Sequence, residues 1–284
     1  MTPVPTDLSF FRADGHLLVP TDMARSLWGE NHMHGVAISG ALARSAEQAV
    51  RAAGRADLVG VRSTVDLFRA ATMDPCLLTT EVVREGPRLC LVDVSLSQGE
   101  RRVARSSALF LKPSESAPGE VWTPTEHPAP PPEAVAPPTD EPHVPFFFSS
   151  AGWSQDFAGH QNAARKQSWN SAIPVVAGEP LTGYVAASAV ADGASMVTNW
   201  GSGGIEYINT DVTLALVREP VGVEIGLSAV DRVERDGIAV GTAAVFDRIG
   251  PLGTVVVTSV SNAKRSIDFQ NLRHPYDDRS VPGA

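Results

Sequence analysis

Two stretches of sequence decide the fold: residues 35–46 read GVAISGALARSA, and residues 183–194 read GYVAASAVADGA. Both are small, apolar and free of proline, and their first residues, Gly35 and Gly183, lie 148 positions apart. The charged Arg44 of the first stretch falls on Asp192 of the second. A helix that is apolar on nearly every face is typical of a buried helix. The pair therefore predicts one buried helix in each half of a duplicated chain.

A second pair of matching segments supports the duplication, since residues 64–69 (TVDLFR) match residues 213–218 (TLALVR) at an offset of 149. Segments rich in β-branched residues with approximate alternation follow each predicted helix and indicate strands. These segments are residues 89–96, 102–111, 221–230, 237–246 and 253–260. The dipeptides Gln98-Gly99 and Asp236-Gly237 favour antiparallel hairpins between them, and Gly86-Pro87 and Gly250-Pro251 are further turn candidates.

One helix with an antiparallel meander, present twice, predicts an α+β fold of the tandem (double) hotdog type, in which antiparallel sheets each wrap around a buried helix. Proline separates the two halves, because residues 113–145 hold 11 of the 22 prolines. Proline removes backbone donors and disfavours helix before it, so this stretch predicts an extended linker. We therefore expect an N-terminal hotdog unit at residues 1–112, a Pro-rich linker at 113–145 and a C-terminal hotdog unit at 146–284.

Composition limits the function classes. A net charge of −9 disfavours nucleic-acid binding, which needs clustered cations to neutralise phosphates. No apolar run approaches the roughly 20 residues of a membrane span, and residues 1–11 carry no signal-peptide pattern, so we expect a cytoplasmic protein. Cys76 and Cys90 fit reduced core thiols rather than a disulfide framework or a zinc site. The sequence indicates neither a bound metal nor a cofactor.

Several segments, in order and spacing, resemble the actinobacterial thioesterase-like proteins related to acyl-CoA thioesterase II, which are tandem hotdogs. These segments are residues 19–29 (VPTDMARSLWG), His34-Gly35, residues 191–193 (ADG), residues 207–213 (YINTDVT) and residues 250–253 (GPLG). They cover most of the chain outside the linker. The resemblance implies hydrolysis of an acyl thioester of CoA or of an acyl carrier by water.

The resemblance also implies site residues. In the family, an Asp on the second helix works with a Thr and a Gln to position the water; the Asp corresponds to Asp192. The Thr falls on Asn209, with Thr210 beside it. The Gln has no counterpart, since residues 249–268 contain none, and Val257, Thr258 or Ser261 stands in its place. His34, Gly35 and Val36 open the first helix, where free N–H groups could hold the thioester oxyanion opposite Asp192.

Each of these residues also has a purely structural interpretation. Asp192 could be exposed or paired with Arg44, Gly35 could simply start a helix, and Asn209 and Thr210 could form the turn that leads into a strand.

Two alternatives to the thioesterase function stay open. One is a non-hydrolytic acyl-CoA or lipid-binding hotdog protein that lost the Gln. The other is an enoyl thioester hydratase or dehydratase, whose Asp–His pair would need His32 or His34. Exposed sheet edges leave room for a homo-oligomer.

Overall fold

The computed structural model describes residues 8–271 and has buried helices packed against one long sheet. In the first half the elements are β1 (Phe11–Asp14), β2 (Leu17–Pro20), α1 (Gly35–Ala52), β3 (Val59–Leu67), β4 (Cys76–Gly86), β5 (Leu89–Gln98) and β6 (Arg101–Leu111). In the second half the short elements are β7 (Phe146–Ser149), β8 (Gly152–Ser154), α2 (Phe157–His160), β9 (Gln167–Ser171), α3 (Gly183–Val190), α4 (Ala194–Asn199), β10 (Trp200–Gly201), β11 (Gly204–Ile205) and β12 (Tyr207–Asn209). The long strands that complete it are β13 (Asp211–Leu216), β14 (Glu224–Arg235), β15 (Ile238–Asp247) and β16 (Gly250–Ser261).

The fold is the predicted α+β double hotdog. A fourteen-stranded antiparallel sheet runs in the order β1-β2-β4-β5-β6-β3-β13-β16-β15-β14-β9-β7-β8, with β12 paired to β16. Helices α1 and α3 pack against each other on the inner face of the sheet. Close approach is possible because the helices are built from small residues: a Cβ on Gly40 would lie 3.2 Å from the Cβ of Ala189.

The two repeats join where the sequence duplicates itself. Strands β3 and β13 pair antiparallel, and Thr64 lies opposite Thr213, the residue that it matches in the repeat. Their hydroxyl groups lie 3.5 Å apart. A residue that pairs with its own copy lies on a local two-fold axis. The chain therefore assembles with itself as two identical subunits would, and the shared sheet runs unbroken across the join.

Two details differ from the sequence-based expectations. The strand predicted from residue 221 begins at Glu224, after a bend at residues 221–223. The Gly250-Pro251 dipeptide opens β16 rather than forming a turn, because the turn falls at Arg248 and Ile249, where Asp247 accepts the N–H groups of Ile249 and Gly250.

The Pro-rich segment between β6 and β7 has neither helix nor strand among residues 113–145. It is nevertheless fixed to the second half at Ala136, which is buried against Trp169 and Phe246. The Arg248 guanidinium donates to the Ala136 carbonyl oxygen at 2.8 Å. The unit boundaries at residues 112 and 146 stay a prediction, and residues 1–7 and 272–284 of the two predicted units lie outside the described part of the chain.

An ion pair holds the first helix to the segment before α3. Arg44 donates to both carboxylate oxygens of Glu179, at 2.6 and 2.5 Å, and both side chains are partly buried. We expect Arg44→Met to lower the free energy of unfolding by about 1–2 kcal/mol, more than an exposed pair contributes, because Glu179 loses its partner in a partly desolvated site. Urea unfolding measures this change. Arg105→Met, which breaks the exposed pair with Asp66, is the control, and an equal loss in both variants would contradict the expectation.

Candidate active site

Asp192 lies at a break between two helices. The predicted second helix is interrupted at residues Ala191–Gly193, which form a 3₁₀ turn between α3 and α4. Asp and Gly are both poor residues for a helix interior, so the Asp192-Gly193 dipeptide is where the helix changes geometry. The half-buried carboxylate accepts a hydrogen bond from Asn209 Nδ2, at 2.9 Å from Oδ1.

The carboxylate of Asp192 packs over the first turn of α1, so the two repeats meet at this site. A Cβ built on Gly35 would overlap the carboxylate of Asp192, so any larger residue there would displace it. The backbone N–H of Val36 points at the same carboxylate and lowers its pKa. The unpaired N–H groups at a helix N-terminus carry partial positive charge, which favours an anion there. Gly35 therefore permits a close carboxylate–helix contact as well as a helix start.

Burial dominates the titration of Asp192. Desolvation raises the pKa of this carboxyl to about 6, against the opposing hydrogen bonds from Asn209 and the Val36 N–H. A carboxylate with such a pKa is ionised at pH 7 yet basic enough to accept a proton from water in a transition state. The combination of a raised pKa with specific donors is typical of acid–base sites.

His34 caps α1. Its Nδ1 accepts the backbone N–H of Ala37 at 3.1 Å, so its Nε2 carries the proton and donates to the Met23 carbonyl oxygen at 2.8 Å. Burial lowers the pKa of the imidazole, which keeps it neutral. Both ring nitrogens are thus engaged within the protein, and the cap leaves the N–H of Gly35 without a protein acceptor among residues 8–271.

The structure separates the two residues predicted beside Asp192. Asn209 ends β12 and reaches the Asp192 carboxylate. The hydroxyl of Thr210 donates instead to the Thr258 carbonyl oxygen at 3.2 Å, and its backbone N–H donates to the same carbonyl. Geometry therefore brings Asn209, Gly35 and Val36 to Asp192, while Thr210 ties β12 to β16.

The inner face of β16 lacks an amide. Its buried residues are Leu252, Val255, Val257 and Ser259. Ser259, which lies opposite Asn209 in the sheet, accepts a hydrogen bond from Asn199 Nδ2 at 3.1 Å. Asp192, Asn209, Ser259 and Asn199 thus form a row of polar side chains. The sequence does not predict Asn199 and Ser259 as members of this row, because nothing in it shows that an isolated Asn at a helix end faces a strand.

Arg44, the repeat counterpart of Asp192, is not its partner. Arg44 pairs with Glu179, and the Asp192 carboxylate bonds to Asn209 instead. The local two-fold axis thus relates Asp192, an acid in the second repeat, to Arg44, a cation at the equivalent position of the first repeat. The pseudo-equivalent helix start is capped by Thr182, whose hydroxyl donates to Glu47 at 3.1 Å.

Part of the chain matches a known protein family. Residues 24–111 match the family model of the acyl-CoA thioesterase N-terminal domain. This match confirms the predicted resemblance to thioesterase II-like proteins. The matched residues include His34, Gly35 and Val36, at the helix start that lies against Asp192, and end with β6. No curated protein matches the chain.

Solved structures share the fold at low sequence identity. The tesB protein of Mycobacterium avium subspecies paratuberculosis superposes with a TM-score of 0.63 at 16% identity, covering 89% of this chain and 96% of its own. The acyl-CoA thioesterase II TesB2 of Mycobacterium marinum gives 0.59 at 15%, covering 89% and 94%. A hot dog protein of unknown function from Alicyclobacillus acidocaldarius gives 0.59 at 17%, covering 88% and 94%. These similarities show the double hotdog fold.

No group of three His, Cys, Asp or Glu side chains within residues 8–271 could hold a metal ion. None of the helices in that range is long and apolar enough to cross a membrane.

Proposed function

We propose that this protein hydrolyses the thioester of an acyl-CoA to a free acid and CoA. The observation that carries the proposal is the Asp192 carboxylate, which Asn209 holds against the first turn of α1 with a pKa of about 6. A carboxylate and a free N–H donor, that of Gly35, thus lie side by side at a contact between the two repeats. Hydrolysis of a thioester needs both, one for the attacking water and one for the carbonyl oxygen.

In the proposed mechanism Asp192 accepts a proton as water attacks the thioester carbonyl carbon. The carbonyl oxygen becomes an oxyanion, which accepts a hydrogen bond from the N–H of Gly35. This N–H is available because the His34 cap accepts the N–H of Ala37 instead. The tetrahedral intermediate then breaks its carbon–sulfur bond, and Asp192 returns the proton to the departing sulfur. Asn209 keeps the carboxylate oriented and leaves it lone pairs for the water.

Replacement of Asp192 tests this mechanism. We expect Asp192→Asn and Asp192→Ala to lower kcat/KM for thiol release by about 10²-fold or more, the scale of a general base. The assay is free-thiol release from acetyl- to palmitoyl-CoA and benzoyl-CoA. Asp14→Asn, at an exposed carboxylate on β1, is the control with unchanged rate. Full activity in both Asp192 variants would refute the mechanism.

The pH dependence gives a second measurement on the wild-type protein. Asp192 acts as a base only when ionised, so kcat/KM should fall as the pH drops below the pKa of about 6. The decline should approach tenfold per pH unit. A rate that stays flat between pH 7 and pH 4.5, with the protein folded throughout, would show that another group is the base.

One observation favours a second candidate, a non-hydrolytic acyl-CoA-binding protein. The inner face of β16 presents Val257 and Ser259 near Asn209, and neither can replace the family Gln as an amide donor. In that case no ester releases free thiol, while acyl-CoA still raises the melting temperature of the protein. Incubation with an enoyl-CoA covers the hydratase alternative, whose product would be a hydroxyacyl-CoA; the engaged ring nitrogens of His34 disfavour it.

A further inference from the structure

A surface groove of about 350 Å³ lies between the loop before α1 and the segment after β16. It is lined by Leu27, Trp28, Arg265, Ser266, Ile267, Asp268 and Asn271. The lining combines an indole ring, a guanidinium group, a carboxylate, a hydroxyl and an amide. The groove plays no part in the mechanism proposed above.

Both walls of the groove continue from the two sides of the candidate active site. On one side, the loop that ends at Gly35 folds back on itself, because the N–H of Ser26 donates to the His32 carbonyl at 2.8 Å and that of His34 to the Ala24 carbonyl at 3.0 Å. Trp28 therefore projects near the tip of this loop. On the other side, β16 runs from Ser259, opposite Asn209, to the 3₁₀ turn Ala263–Arg265.

The walls are held rigidly by their surroundings. Trp28 packs against an aromatic cluster whose buried members are Phe147, Trp200, Ile205, Ile267 and Phe269. The segment after β16 is tied down by Gln161, which donates to Asp268 at 2.9 Å and accepts the N–H of Phe269 at 2.8 Å. Backbone hydrogen bonds between Ile205 and Ile267 fasten the same segment. A ligand would thus meet a preformed groove.

The charges of the groove favour an anion. Arg265 and the neighbouring Lys264 make no ion pair with the carboxylates of residues 8–271. The acid that lines the groove, Asp268, keeps its negative charge, but Gln161, Asn271 and the Gln270 N–H all donate to it, and the two cations together outweigh it. Unpaired cations are notable in a chain of net charge −9. Arg in particular suits phosphate, which it can bind through two parallel hydrogen bonds.

We infer that this groove binds the phosphorylated adenosine end of CoA. The adenine ring would stack on Trp28, Arg265 and Lys264 would bind the phosphates, and Ser266 and Asn271 would offer polar contacts to the ribose. The pantetheine arm would follow the two walls inward to Asp192. This inference rests on the proposed function and selects CoA over a carrier protein, whose thioester ends in phosphopantetheine without a nucleotide.

The test compares two esters of the same acyl group, one on CoA and one on pantetheine, which lacks the nucleotide. We expect Arg265→Gln and Trp28→Leu to raise KM for the acyl-CoA about tenfold with little change in kcat, and to leave the acyl-pantetheine KM unchanged. Arg88→Gln, at an exposed arginine of the N-terminal half, is the matched control. An unchanged acyl-CoA KM in Arg265→Gln, or an equal rise for both esters, would overturn the inference while leaving the thioesterase activity intact.

Direct binding keeps the test decisive if no ester is hydrolysed. The probe is adenosine 3′,5′-bisphosphate, measured by calorimetry on the full chain. Binding to the wild type that weakens about tenfold in Arg265→Gln, and remains in Asp192→Ala, would support the groove even when the proposed hydrolysis fails. Absence of binding, or binding that Arg265→Gln leaves unchanged, would overturn the inference.

Discussion

Gly35→Ala should lower kcat/KM for thioester hydrolysis about 10²-fold or more. The new Cβ would overlap the Asp192 carboxylate, so the carboxylate must swing away from Asn209 or the first turn of α1 must shift. Either movement misplaces the base by about an ångström relative to the N–H of Gly35, and a misplacement of that size can cost roughly 10²-fold in rate. Free-thiol release from acyl-CoA measures the effect.

Two further variants separate this effect from general damage. Gly40→Ala introduces an equally new Cβ into α1, 2.9 Å from Val175 Cγ2 and away from the site; we expect lower stability but a far smaller loss of rate. Combining Gly35→Ala with Asp192→Ala removes the overlapping carboxylate, so the double variant should be more stable than the sum of the two single changes predicts. Additive stabilities would show that Gly35 and Asp192 do not compete for the same space.

Asp192→Asn should stabilise the folded protein above pH 6 while it lowers the activity about 10²-fold or more. The pKa of Asp192 is raised from 3.8 to about 6 on folding, so the folded state binds its proton more tightly than the unfolded state does. Stability is therefore lost as the pH rises from about 4 to 6, by up to about 3 kcal/mol for a shift of roughly two pKa units. An Asn does not titrate and escapes this cost.

Urea unfolding at several pH values measures the difference. The gain of Asp192→Asn over wild type should be largest at pH 8 and close to zero at about pH 3, where the wild-type carboxyl is mostly protonated in both states. Asp14→Asn should follow the wild-type curve at every pH. A gain that does not depend on pH would show that the carboxylate is not destabilised by burial. A functional group that costs stability is typical of active sites.

The sequence predicted the repeats, the buried helices and Asp192 because each of these is a local pattern or a matched pair of patterns. Residues 35–46 lie in α1 and residues 183–190 form α3, these two helices pack together, and the Asp192 carboxylate lies against Gly35 and Asn209. The thioesterase activity and the roles of these residues stay predictions that the experiments above test.

Other features depend on contacts between distant segments, which no local pattern reveals. The sequence allows Arg44 as a structural partner for Asp192, yet Arg44 pairs with Glu179, 135 positions along the chain. Thr210 is the sequence neighbour of Asn209, but adjacent residues of an extended chain point to opposite sides. The strands β4, β9 and β12 were not predicted, because short or largely exposed strands carry little alternation.

The in-register pairing of β3 with β13 also has a kinetic consequence. Thr64 meets Thr213 only after 149 residues of chain have been brought together, whereas the hairpins within each repeat close over a few residues. Loop closure costs more entropy for the distant β3–β13 contact than for the hairpins, so the hairpins of each repeat should form early and the β3–β13 pairing late. Until β3 and β13 pair, each repeat exposes an unpaired strand edge, which can also pair with the matching strand of another molecule. The tether between the repeats favours the correct partner by raising its effective concentration.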